Sequence, residues 1–174
     1  MKKILAILMA LCMFCGVAMA EAATELNWDE IAPIIEQSGV AGDFVTFDEI
    51  AVKIWIPSDL QPAELTDEDR SNGFIGYFAD AEQTASLSVV YVDVSGMSIE
   101  DYTAQLNEME GVAEIDAGTV NGLPCVSYTM PEQDSGHIAF ATEAGYILEV
   151  SVWPTSAEGA DMVWGIVLGS IQAE

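Results

Sequence analysis

The stretch ASLSVVYVDV, residues 85–94, leads through Ser95-Gly96-Met97 into SIEDYTAQLNEM, residues 98–109, and together they decide the fold class. In the first segment Leu87, Val89 and Tyr91 alternate with Val90, Val92 and Val94, so both faces of an extended chain are apolar. A strand of that kind sits centrally in a sheet covered on both sides. In the second, Ser98 stands at an N-cap with Asp101 three residues on, and Tyr102, Leu106 and Met109 share one helical face. The spacing predicts an amphipathic helix laid against the sheet.

Upstream, Leu26-Asn27-Trp28-Asp29-Glu30 predicts a short helix with Asn27 as cap and Glu30 closing a capping box. Trp28, Ile31 and Ile35 would share its inner face, with Pro33 limiting its regularity. GDFVTF (42–47), EIAVKIWIP (49–57) and FIGYFAD (74–80) read as strands. In the second of these, Ile50, Val52, Ile54 and Ile56 alternate with Ala51, Lys53 and Trp55, and Pro57, lacking an N–H, ends the run. Downstream, strands are expected over 113–120, 123–130, 137–142 and 146–153, separated by Asn121-Gly122, by residues 131–136 and by Glu143-Ala144-Gly145. In the closing segment Ala160, Val163, Trp164, Val167, Leu168 and Ile171 have the spacing of a helix buried on one side, with Ser156 as candidate cap. The order helix, four strands, helix, four strands, helix describes an α+β fold, a mainly antiparallel β-sheet flanked by helices.

A strand ending in proline (IWIPSDL), a central strand (LSVVYVDV), a capped helix (SIEDYTAQL), antiparallel strands joined by Asn121-Gly122, and YILEVSVWP before a terminal helix resemble the PsbP-like fold. That fold occurs in the PsbP proteins of photosystem II and in small exported bacterial proteins of the DcrB and LpqN groups. The resemblance lies in element order and apolar pattern. It implies an α/β/α sandwich, exported, in a binding or assembly role rather than a catalytic one, and it supplies no motif residues.

Residues 1–20, MKKILAILMALCMFCGVAMA, have the layout of a secretory signal: Lys2 and Lys3, an apolar run, then Ala18-Met19-Ala20. The run is short for a membrane span. Leu11 and Phe14 precede the two cysteines of this segment, where a lipoprotein signal needs a small residue. Cleavage after Ala20 is therefore expected, leaving residues 21–174 as a single domain of a secreted or extracytoplasmic bacterial protein.

Without the leader, Lys53 and Arg70 alone face the 29 acidic residues. Such a chain repels nucleic acid and anionic lipid, so the expected partner is a protein or a small ligand of the envelope. Cys125 is left without a partner in the chain, and stability must come from a core. The acidic residues are scattered, the reading of a solvated surface. Asp67, Asp69 and Ser71 have the alternate spacing of a calcium loop, but Asn72 stands where glycine is required and Phe78 where the bidentate glutamate belongs. No cofactor is expected.

Catalytic constellations are scarce. One histidine excludes a multi-histidine metal site, and one cysteine outside the leader excludes a thiolate cluster. There is no Gly-x-Ser-x-Gly and no phosphate loop. If residues 131–136 form the hairpin loop, Thr129 lies near His137 and Cys125 is about 13 Å away at ~3.3 Å per residue, too far for a thiol and its base. Cys125 then reads as packing and His137 as a strand-end residue near solvent. Asp134, Ser135 and His137 are neighbours in a turn, which rarely gives triad geometry.

Two surface candidates remain. On the terminal helix Met162, Gly165, Ile166 and Gly169 lie away from the apolar stripe and are uncharged, which reads either as a face that another element covers or as a candidate interface. Trp55 and Trp153 point opposite to the main faces of their strands and form a candidate groove. The expectation is a non-enzymatic binding or assembly module. The alternative is a carboxylate-dependent hydrolase of extracellular glycans, which would need two facing carboxylates beside an aromatic platform.

Overall fold

The computed structural model describes residues 24–142 and 144–174; the expected signal peptide lies outside them. The elements run β1 (Thr24–Leu26), α1 (Trp28–Ser38), β2 (Gly42–Phe47), β3 (Val52–Pro57), β4 (Gln61–Pro62), α2 (Asp67–Ser71), β5 (Phe74–Ala79), β6 (Ser86–Asp93), α3 (Ile99–Glu108), β7 (Ala113–Val120), β8 (Leu123–Met130), β9 (Ser135–Ala141), β10 (Tyr146–Trp153), α4 (Ala160–Gly169) and β11 (Gln172–Ala173). The main sheet has the order β1-β7-β8-β9-β10-β6-β5-β4, and a smaller sheet the order β11-β3-β2. Only the β1–β7 pair is parallel among the pairs of the described residues.

The main sheet buries one face against α1, α4 and the smaller sheet, through Leu87, Val89, Ile138, Phe140, Leu148, Val150, Ile54, Ile31, Trp164 and Ile166. Its other face packs Val126, Tyr128, Ala139 and Ile147 against Leu106 of α3. The α+β architecture and the amphipathic helix laid against the sheet are as the apolar pattern predicts. Ser98 accepts from the backbone N–H of Asp101 at 3.1 Å and so caps α3.

Several local expectations are corrected. Asn27 makes no side-chain cap bond, and α1 continues through Pro33 to Ser38, holding Ile31 and Ile34 in the core. Residues 49–51 form a turn rather than the start of β3, because the β2–β3 hairpin closes at the Phe47–Val52 pair. Residues 67–71 form a helix whose cap is a reciprocal box between Thr66 and Asp69, which engages Asp69 locally. Gly159, not Ser156, precedes α4, and Ser156 bonds instead to Asp134.

The Asn121-Gly122 turn has positive φ at both positions, 50° and 80°, as a tight two-residue hairpin turn requires. Asn121 also binds distant elements. Its Oδ1 accepts from the Trp28 backbone N–H at 2.6 Å, and its Nδ2 donates to the carbonyls of Gly169 and Ile171 at 3.0 and 2.8 Å. One turn residue thereby satisfies the start of α1 and the end of α4, which otherwise leave free backbone groups.

Candidate binding site

The β8–β9 turn is shorter than its composition suggests. Met130 pairs with Ser135, with a 3-10 turn at Pro131–Gln133 and Asp134 in the left-handed region between them. The register places Tyr128, not Thr129, opposite His137. That one-residue difference decides the site. His137 shares a face with Tyr128, and their rings stack with centroids 4.6 Å apart and planes 6° apart. Cys125, three residues from Tyr128, points to the opposite face, so the two residues do not meet. Burial pushes the Cys125 thiol up to about 11, which leaves it protonated at neutral pH.

His137 is not a solvent-facing strand end, because strands on both sides of β9 supply its partners. Its side chain is 10% exposed and its Nδ1 lies 3.2 Å from Glu149 Oε1. Ser151 Oγ is 2.9 Å from the same nitrogen, and Ser135 Oγ is 2.9 Å from Nε2. With the carboxylate facing Nδ1, that nitrogen carries the proton and Nε2 accepts from Ser135. Tyr102 of α3 and Tyr128 of β8 both donate to Glu149 Oε2, at 2.7 and 2.8 Å. Burial works to raise the Glu149 pKa, but the hydrogen bonds from His137, Tyr102 and Tyr128 outweigh it and hold the carboxyl below its ordinary value. Burial, then the Glu149 charge, pushes both phenols up, so they remain donors.

Ser135, His137 and Glu149 therefore stand in hydroxyl–imidazole–carboxylate order, with Glu149 in the place that Asp134 would take in a sequence-local triad. Asp134 turns away and accepts from Thr155 and Ser156. Ser135 is in the last pair of the β8–β9 ladder, opposite Met130 and next to the 3-10 turn. An acyl-transfer site would also need backbone N–H groups aimed at the developing oxyanion.

Above this network the sheet face is open. Register aligns Tyr77, Ser88, Ser151, His137 and Tyr128 in one row across five strands, and Ser86 with Trp153 in the next. Helix α3 covers the end of the face near Val92 and Ala141. At the other end a depression of about 280 Å³ is lined by Ser86, Ser88, Gln133, Ser135, Ser151 and Trp153, with His137 at its floor. Trp153 and Tyr77 are each 37% exposed. Covering on both sides, expected for the whole 85–94 strand, thus stops at Ser88.

The sequence-derived candidates are rearranged accordingly. Trp55 is in the core of the smaller sheet, its backbone N–H held by Ser170 Oγ at 2.8 Å, so it shares no groove with Trp153. Of the proposed interface on α4, Ile166 and Gly169 are buried, and α1 crosses at Gly169, where a Cβ would collide with Ile31 Cδ1. Met162 and Gly165 stay partly exposed, and Met162 borders a cleft of about 470 Å³ rimmed by Asp59, Asp80 and Glu158. Gly165 lines a crevice of about 90 Å³ between α4 and the sheet, too small for an ordinary ligand site. Among the described residues no cluster of His, Cys, Asp or Glu is arranged to hold a metal ion, and no helix is long and apolar enough to cross a membrane.

The sequence reading missed Glu149 and Ser151, named Ser135 beside His137 only to discount the grouping, and placed Tyr102 on the inner face of its helix without a polar role for it or for Tyr128. A signal was present: Ser86/Ser88, Ser135/His137 and Glu149/Ser151 each repeat at a period of two, marking one polar half-face across three strands.

No family profile matches the chain, and no curated protein sequence matches it at a significant level. Among solved structures, cyanobacterial PsbP (CyanoP) from Synechocystis sp. PCC 6803 superposes with a TM-score of 0.55, covering 92% of this chain and 99% of that one at 11% identity. The chain has the PsbP-like fold. The Saccharomyces cerevisiae Ran-binding protein Mog1p is similar at a TM-score of 0.47 and 11% identity, over 77% of this chain and 96% of that one. A protein from Bacteroides thetaiotaomicron gives 0.46 and 13%, over 71% and 45%.

Proposed function

We propose that the protein is an exported, non-enzymatic binding module of the cell envelope or extracellular space, and that it receives its ligand on the open half-face of the main sheet. The observation that carries this reading is the row of uncharged hydrogen-bonding groups beside exposed Trp153, set on a rigid network around Glu149. A buried carboxylate with three donors fixes its neighbours in single rotamers, which is the condition for a preorganised site. Export rests on the layout of residues 1–20. The glycan-hydrolase alternative needs two facing carboxylates. The groups lining the depression offer none at its surface, and Glu149 beneath it is consumed by the phenols and His137.

Two measurements test the proposal. Mass spectrometry of the protein recovered outside the cytoplasm should find an N-terminus at Glu21; an acylated N-terminus at Cys12 or Cys15, or an uncleaved chain, contradicts it. Envelope material from the producing organism should retain the wild-type protein in sedimentation and release Trp153→Ala. Equal retention of both, or of neither, removes the half-face as a binding surface.

A further inference from the structure

We infer that the occupant of the half-face is a neutral oligosaccharide that stacks on Trp153 and exchanges hydrogen bonds with Ser86, Ser88 and Gln133; this rests on the binding reading above. The decisive feature is an absence of charge. Carboxylates border most surfaces of a chain with 29 of them, as they do the cleft beside Met162. An acidic rim therefore says nothing about a ligand here. A depression whose lining carries no carboxylate, lysine or arginine is the departure from the rest of this surface.

The groups present select a chemistry. Serine hydroxyls and a glutamine amide both donate and accept, which matches a ligand whose hydroxyls do the same. Trp153 offers an exposed indole, a flat apolar surface of the kind that packs against the C–H face of a sugar ring. Tyr77 stands two strands and two residues from Trp153 in the register, about 12 Å away at ~4.8 Å per strand and ~3.3 Å per residue. Two aromatic platforms at that separation suit a short chain of rings lying along the sheet rather than a compact metabolite.

Other ligand classes fit poorly. Anionic polymers meet no cation in the depression itself: Lys53 lies over the Phe44 ring in the smaller sheet, and Arg70 lines a separate depression, with Asp48, Glu49 and Glu64, that Tyr77 also borders. A cationic ligand would want an exposed carboxylate in the lining. A protein partner would want an apolar centre, whereas serines, Gln133 and His137 make up most of this one.

The test is a microarray of neutral and acidic glycans probed with the secreted chain, followed by calorimetry on the best neutral hit. Binding should be confined to neutral glycans. Trp153→Ala should weaken it at least tenfold and Tyr77→Ala about threefold, with far-ultraviolet circular dichroism and urea midpoints unchanged. Trp153→Tyr should restore part of the loss, which a merely structural tryptophan would not do. Absence of any neutral glycan above the Trp153→Ala background overturns the inference, as does preference for acidic glycans. If no neutral glycan binds while Trp153→Ala still releases the protein from envelope material, the binding reading stands and the ligand class is wrong. If retention is indifferent to Trp153, both fall.

Discussion

His137 Nδ1 and Glu149 Oε1 lie 3.2 Å apart between neighbouring strands, and the pair joins the open face of the sheet to the helix that covers the rest of it. Tyr102 brings α3 to the same carboxylate that orients His137. Removing the carboxylate leaves two phenols and an imidazole N–H with one acceptor fewer in a mostly enclosed place. Glu149→Ala should therefore destabilise the domain by about 3 kcal/mol. Glu149→Gln, which keeps the shape and one acceptor, should cost about half of that. Urea unfolding of the two variants measures it; a midpoint equal to wild type for Glu149→Ala would show that the network contributes nothing.

The same carboxylate gives a pH dependence with a defined sign. Its folded pKa lies below the ordinary value, so the unfolded chain binds the proton more readily as pH falls. Its contribution is fully present above the unfolded pKa of about 4.5 and is lost as pH drops through the folded value. Easing of repulsion in a chain of net charge −25 acts in the opposite direction over the same range. The informative quantity is thus the wild-type stability minus that of Glu149→Gln. That difference should be constant from pH 7 to about 5 and shrink below the ordinary carboxylate range. A difference that is flat down to pH 3 would mean that Glu149 is not charged in the folded protein.

These two expectations depend on residues that the sequence marks only weakly. The central strand, the capped α3 and the terminal helix are legible because burial imposes a period of two or of 3.6 on long runs. The short strands β1, β4 and β11 carry two or three residues each, too few for a pattern to form. They exist because longer neighbours offer them an edge. The site is harder still. Whether His137 faces Tyr128 or Thr129 depends on how many residues the turn after Met130 absorbs, and Pro131–Gln133 with Asp134 absorbs fewer than its composition suggests. A slip of one residue exchanges the faces. Spacing leaves the Ile166 side of α4 open between a covering element and solvent, because which of them lies there is a question of packing.

Neither nucleophile of the 121–140 segment should be reactive. Cys125 is 4% exposed and burial raises its pKa to about 11, so thiolate is scarce at neutral pH. Labelling of native protein by an aromatic disulfide reagent should be slow and should become fast in denaturant. Ser135 has a base at 2.9 Å but is itself buried, at 8% exposure, so a substrate carbonyl has little access to its hydroxyl. A fluorophosphonate probe should leave it unmodified. Stoichiometric labelling that disappears in Ser135→Ala would establish an acyl-transfer centre and end the non-enzymatic reading.

The terminal helix supplies the sharpest contrast between neighbouring positions. Gly169 is buried where α1 crosses, and an added Cβ would run into Ile31 Cδ1 in the core. Leaving glycine favours a helix on propensity grounds, so any loss from Gly169→Ala reports the collision, expected at about 1–3 kcal/mol. Ile166 is 1% exposed, and Ile166→Glu would place a carboxylate without a partner in the main core. That variant should not fold. Trp164→Ala, which also removes the 2.6 Å bond from its indole N–H to the Pro154 carbonyl, should cost about 3 kcal/mol or more. Met162, on the same helix and partly exposed at the edge of the core, should accept glutamate with the fold intact and a loss of about 1 kcal/mol. Circular dichroism and thermal unfolding of the four variants give the order. A folded Ile166→Glu protein with native stability would show that this position is not part of the core.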